Sequence, residues 1–209
     1  MPEGGSAYLL LGYRKPQLWS DTTDDVQAGG RQELEERGYK VLSVGRYEKF
    51  AKLLLKQGTG VESARLFEQI VGDPLEIVLL NEPAVLKPGD KLSCRVLWQG
   101  KQLQTEVKTG RDGFSPEADT YTASVKSNAE GIAEFPIDQP GIWFIRAGHT
   151  ESVNDASGVD KWVVRVTYTF AVEQPVQRGT YEGCGRYSRR AARGKFFMAY
   201  RSDSGRKTD

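Results

Sequence analysis

The spacing of hydrophobic positions changes near Pro74. Before it, the apolar and aromatic run Ala7–Tyr13, ended by Pro16, predicts one strand followed by a turn. The polar stretch from Asp21 to Gly30 predicts a loop, and Arg31-Gln-Glu-Leu-Glu-Glu-Arg-Gly38 predicts a short surface helix closed by glycine. From about Val44 to Lys56, Tyr47, Phe50, Ala51, Leu53 and Leu54 share one helical face. Glu48 precedes Lys52 by four residues and Gly58 follows, so a second helix is predicted there.

From Pro74 onward the period is two. Leu75 to Leu80 is a continuous apolar strand, Lys87-Pro-Gly-Asp90 is a turn, and Leu92, Cys94, Val96 and Trp98 alternate with polar neighbours. Further strands are predicted over Gln104–Lys108, Tyr121–Val125, Ile132–Ile137 and Ile142–Ala147. The last is the cleanest: Trp162, Val164, Val166, Tyr168, Phe170 and Val172 alternate with Arg165, Thr167 and Thr169. Seven or so short strands over about a hundred residues predict a mainly β fold, an antiparallel sandwich of immunoglobulin-like or transthyretin-like type with a short helical N-terminal segment.

Composition narrows the function. No run of eighteen apolar residues exists, so no helical membrane span is expected. The 29 Lys and Arg against 28 Asp and Glu point to no nucleic-acid partner for the chain as a whole. That balance is uneven, because residues 173–209 hold nine Lys or Arg and four Asp or Glu, leaving residues 1–172 at minus four. This basic segment, interleaved with Tyr181, Tyr187, Phe196, Phe197 and Tyr200, reads as a solvated or disordered tail, with a nucleic-acid strand or an anionic membrane surface as the alternative. Cys94 lies in an apolar alternation and Cys184 in the tail, so two free thiols are expected rather than a bridge.

The single His is the sharpest constraint on chemistry. Multi-His metal sites cannot form within one chain, and a catalytic triad would have to use His149. There is no phosphate-binding loop and no nucleophile elbow, and the neighbouring carboxylates Asp24-Asp25 and Glu35-Glu36 do not face each other across a substrate. No enzyme is indicated. His149 ends a predicted strand and enters a loop with Glu151, Asp155 and Asp160, a mixed imidazole and carboxylate set suited to a divalent metal. The plainer alternative is a structural hydrogen bond at a strand end. Trp98, Trp143 and Trp162 are expected in the core.

An ordered string of segments carries a resemblance: Arg46-Tyr-Glu-Lys-Phe-Ala-Lys52, Leu75-Glu-Ile-Val-Leu-Leu-Asn-Glu-Pro83, Leu86-Lys-Pro-Gly-Asp-Lys-Leu92, Val96-Leu-Trp-Gln-Gly-Lys-Gln-Leu103, Asn128-Ala-Glu-Gly-Ile-Ala-Glu-Phe135, Pro140-Gly-Ile-Trp-Phe-Ile-Arg-Ala-Gly-His149 and Tyr168-Thr-Phe170. Over about Ala7 to Val172 the chain resembles a bacterial domain-of-unknown-function family whose members are often described as periplasmic components of nickel or cobalt uptake. The resemblance implies a periplasmic or secreted protein, an envelope transport protein as partner, and nickel or cobalt at His149 with Asp155 or Asp160. It also implies that residues 1–73 are the remnant of a first β domain, residues 74–172 an immunoglobulin-like sandwich, and residues 173–209 a tail outside the pattern. By that resemblance a signal peptide and further strands are expected ahead of the segment matching Ala7 to Tyr13. The chain is therefore expected either to be a fragment or to pair its exposed first strand with another copy.

Overall fold

Period-two burial accounts for most elements of the computed structural model, which describes residues 6–57, 65–117, 119–153 and 158–173. The chain runs β1 (Ser6–Thr22), β2 (Val26–Ala28), α1 (Arg31–Glu36), β3 (Val41–Gln57), β4 (Leu75–Leu79), β5 (Lys91–Trp98) and β6 (Lys101–Gln102). It continues through β7 (Glu106–Arg111), β8 (Ala123–Lys126), β9 (Ile132–Pro136), β10 (Gly141–Ser152) and β11 (Lys161–Val172). One sheet has seven strands in the order β2-β1-β3-β11-β10-β7-β8. In the other, of four strands, β5 pairs with β4, β6 and β9. Pairing is antiparallel except between β3 and β11. A parallel pair needs a crossover, and here the second sheet is built within the crossover.

Inward residues of both sheets share one core. Trp143, Ile145, Val164, Val166, Tyr168 and Phe170 come from the seven-stranded sheet, and Leu75, Ile77, Leu92, Cys94, Val96 and Phe135 from the four-stranded one. A smaller cluster of Leu34, Val41, Val44 and Val159 holds α1 against β3. Among the described residues, no helix is long and apolar enough to cross a membrane.

Three sequence expectations are overturned. The segment predicted as a helix from Val44 to Lys56 is the middle of β3, with β1 along one edge and β11 along the other. Its buried positions Glu48, Phe50, Lys52 and Leu54 follow period two, but two of them are charged, which hides the alternation from any hydrophobicity reading. The first strand does not stop at Pro16. β1 continues to Thr22 past a register shift between Arg14 and Gln17, a bulge that absorbs a residue unable to donate to the ladder. The expected loop from Asp21 accordingly contains the end of β1 and all of β2. β3, before residue 73, pairs with β11, after it. The basic tail lies outside the described residues from Gln174 on.

Candidate binding face of the seven-stranded sheet

His149 sits on the inward face of β10, half-buried, two positions beyond Ala147. Its ring packs on Trp98 of β5, centroids 4.4 Å apart, and Trp98 in turn packs on Trp162 at 5.0 Å. Arg46 lies 4.8 Å from the Trp162 ring, and Glu48 accepts the indole N–H at 3.2 Å. These rings line one end of the core, and His149 packs against Trp98 there with its ring tilted by 49°. Asp160 is elsewhere. Its Oδ2 accepts from the Val44 N–H at 2.6 Å and from Arg31 Nη2 at 2.9 Å, tying the start of β11 to β3 and α1. The Val153 N–H donates to the Asp160 carbonyl, which places Asp160 four residues from His149 along the ladder, about 13 Å at strand rise. Asp155 lies outside the described residues. Among the described residues no three His, Cys, Asp or Glu side chains converge as a metal site, and His149 with Asp160 does not fit one.

The buried ionisable groups are committed to the fold. Lys52 and Glu76 form a fully buried ion pair; Lys52 also donates to the Gln69 carbonyl at 2.8 Å, and Glu76 accepts from the Val71 and Gly72 N–H groups. Burial lowers the Lys52 pKa, and the hydrogen bond and charge of Glu76 oppose that shift. Cys94 is a free, buried thiol that burial pushes up to about 12, so it carries no thiolate at neutral pH.

The outer face of the same sheet is different. Arg14 on β1 stands opposite Lys49 on β3, and Lys49 opposite Arg165 on β11. Arg165 faces Gly148, and two residues along β10 from there Arg146 faces Lys108 on β7. Residues paired directly across a ladder point to the same side, so these five cations share one face. Lys49, Arg146 and Arg165 are exposed, and no described carboxylate lies within ion-pair distance of them. Lys108 pairs with Glu106 at 3.3 Å, and Arg14 bonds Gln17. The Lys49 pKa is lowered, first by partial desolvation and then by repulsion from Arg14, Arg165 and Arg146.

Two hollows meet on this face. One, of about 760 Å³, includes Lys49, Arg165, Arg146 and Lys108 in its lining, with the carboxylates Glu106 and Asp119 beside them. The other, of about 240 Å³, shares Lys49 and Arg165 and extends to Arg14, Trp19 and Tyr47. Two glycines let aromatic rings lie flat here. A Cβ at Gly45 would stand 2.5 Å from Tyr47 Cε2, and one at Gly110 would stand 2.8 Å from Phe144 Cε1. Both glycines are thus required by close approach of a ring to the backbone.

Residues 2–151 match the family described as Domain of unknown function (DUF4198). The chain belongs to that family. No curated protein and no solved structure matches it. The DUF4198 match spans β1 to β10, across the boundary the sequence suggested at residue 73, and contains four of the five cations; Arg165 on β11 lies beyond it. None of the five was singled out from the sequence as a site residue. Each is only a polar position in an alternating strand, and the signal that unites them is cross-strand register, which one sequence does not display.

Proposed function

We propose that this DUF4198 protein is a non-enzymatic β-sandwich binding module of the cell envelope, immunoglobulin-like or transthyretin-like in type, which takes its ligand on the outer face of the seven-stranded sheet. The carrying observation is the exposed group Lys49, Arg146 and Arg165, none of which has an ion-pair partner among the described residues, in a hollow where four cations outnumber the carboxylates Glu106 and Asp119. Elsewhere the notable ionisable groups are spent on packing: Lys52 with Glu76, Asp160 with Arg31, Arg46 with Glu48. Resemblance to components of nickel and cobalt uptake supports the envelope location and a transport protein as neighbour. It does not assign the ligand, because Asp160 is held away from His149 by Arg31 and Val44.

Sedimentation with isolated cell-envelope fractions tests this reading. The wild-type chain is expected in the pellet, and the double variant Arg146→Glu/Arg165→Glu, with an unchanged melting temperature, in the supernatant. Equal retention of the two proteins means that binding uses another surface, as an adhesive or structural module would, and overturns the assignment.

A further inference from the structure

One cation per strand across β1, β3, β11, β10 and β7 makes a row, with a step of two residues between Arg165 and Arg146. Neighbouring strands lie about 4.8 Å apart, so the row spans roughly 19 Å. The row suits a linear polymer carrying one negative charge per short repeat.

The rings narrow the choice. Lys108 lies 5.2 Å from the Tyr121 ring centroid and Arg146 4.8 Å from that of Phe144, so cations already occupy these rings. A single-stranded nucleic acid needs free aromatic faces along the whole row for its bases, and here Trp19 and Tyr47 stand only at the Arg14 end while the rings beside Arg146 and Lys108 are taken. An extended acidic peptide presents same-side charges about 6.8 Å apart, wider than the spacing of adjacent strands. Tyr47 lies over Gly45 between Lys49 and Lys161, stacks on no other described ring, and offers a platform for the C–H face of a sugar.

We propose that this face binds an acidic polysaccharide, its carboxylates or sulfates paired with Arg14, Lys49, Arg165, Arg146 and Lys108 and one sugar ring packed on Tyr47. The inference rests on the sheet-face reading of the function. Because the face holds no histidine, binding responds to salt rather than to pH between about 5 and 8.

The test is calorimetric titration of the full chain with polygalacturonate, dextran sulfate, uncharged dextran, polyphosphate, polyglutamate and oligothymidylate. Polygalacturonate or dextran sulfate is expected to bind and dextran not, the tighter of the two assigning carboxylate or sulfate. In Lys49→Gln/Arg146→Gln/Arg165→Gln the slope of log affinity against log salt becomes shallower by roughly two to three. Residues 173–209 are the same in both proteins, so their basic charge cancels from the comparison. Tyr47→Leu weakens the acidic polysaccharide by roughly five- to tenfold and leaves polyphosphate unchanged. Melting curves confirm that the variants fold, and the triple variant alone carries the test if Tyr47→Leu does not.

Equal binding of a polysaccharide to wild type and triple variant overturns the proposal. So does a variant-sensitive preference for polyphosphate, polyglutamate or oligothymidylate, or binding of dextran as tight as that of the charged polymers. If envelope retention depends on Arg146 and Arg165 but no polysaccharide competes for it, the ligand is wrong and the face stands. If charge reversal leaves envelope retention intact, both fall.

Discussion

Lys52 shows how far a side chain's role depends on where its strand lies. In a helix it would be a solvent-facing partner of Glu48, four residues earlier; in β3 it points into the core, against Glu76 and 5.9 Å from the Tyr168 ring centroid. Such a pair gains little over an apolar replacement, but removing one partner leaves a buried charge uncompensated. Lys52→Met is expected to lower stability by about 3–5 kcal/mol in urea melts. Lys52→Met/Glu76→Gln should recover part of the loss, because the glutamine carbonyl still accepts from Val71 or Gly72. A single variant as stable as wild type would remove the pair from the account of the fold. His149 and Asp160 make the same point about chemistry: proximity in sequence suggested one ligand set, and the backbone carries one to the Trp98 ring and the other to Arg31.

At the scale of elements, the hairpin of β1 and β3 is fastened to β11 by more than the ladder. Asp21 at the end of β1 accepts from Lys161 of β11 at 2.7 Å and from Ser43 of β3 at 2.6 Å, reaching across the intervening strand. The Lys161 and Ser43 hydrogen bonds hold the Asp21 carboxyl below its ordinary 3.8, and the bond to Asp21 holds the Lys161 ammonium above 10.5. The carboxylate's contribution is present above its unfolded pKa and lost as pH falls through the lower folded one. The ammonium's is present below its unfolded pKa and lost as pH rises through the higher folded one. Full stabilisation therefore spans about pH 4 to 10. The pair is partly exposed, so Asp21→Asn should cost only about 0.5–1 kcal/mol at neutral pH. Thermal melts across pH check it: the gap between variant and wild type should close in strong acid. A gap of constant size from acid to neutral would sink the linkage.

For the whole molecule, β1 is paired along one edge by β3 and leaves most of its other edge unpaired among the described residues. β2 pairs with β1 only at Trp19–Asp21, and the Gly29 N–H reaches the Leu18 carbonyl, so among the described residues Ser6–Gln17 has no strand partner on that side. Tyr8, Leu10, Leu11 and Tyr13 are about half exposed along it. Such an edge is a template for a second copy, and antiparallel pairing of two β1 strands would be symmetric. Sedimentation velocity over a concentration series should show reversible self-association, abolished by Leu10→Lys/Leu11→Pro. A monomer at every concentration would rule this out.

The sequence by itself determined the β class, the strands from Leu75 to Val172 and the short helix closed at Gly38, because alternation and turn residues are local and survive without context. It also left His149 as the one residue on which His-based hydrolase chemistry would depend. Only the tertiary structure decided that Val41–Gln57 is a strand, since its buried charges acquire their reason from Glu76 and Trp162, which lie far along the chain. The cationic face was settled at the same level. Residues 1–172 carry net negative charge, yet register lines five cations across five strands and turns them to one side, and a one-dimensional sequence does not contain that register.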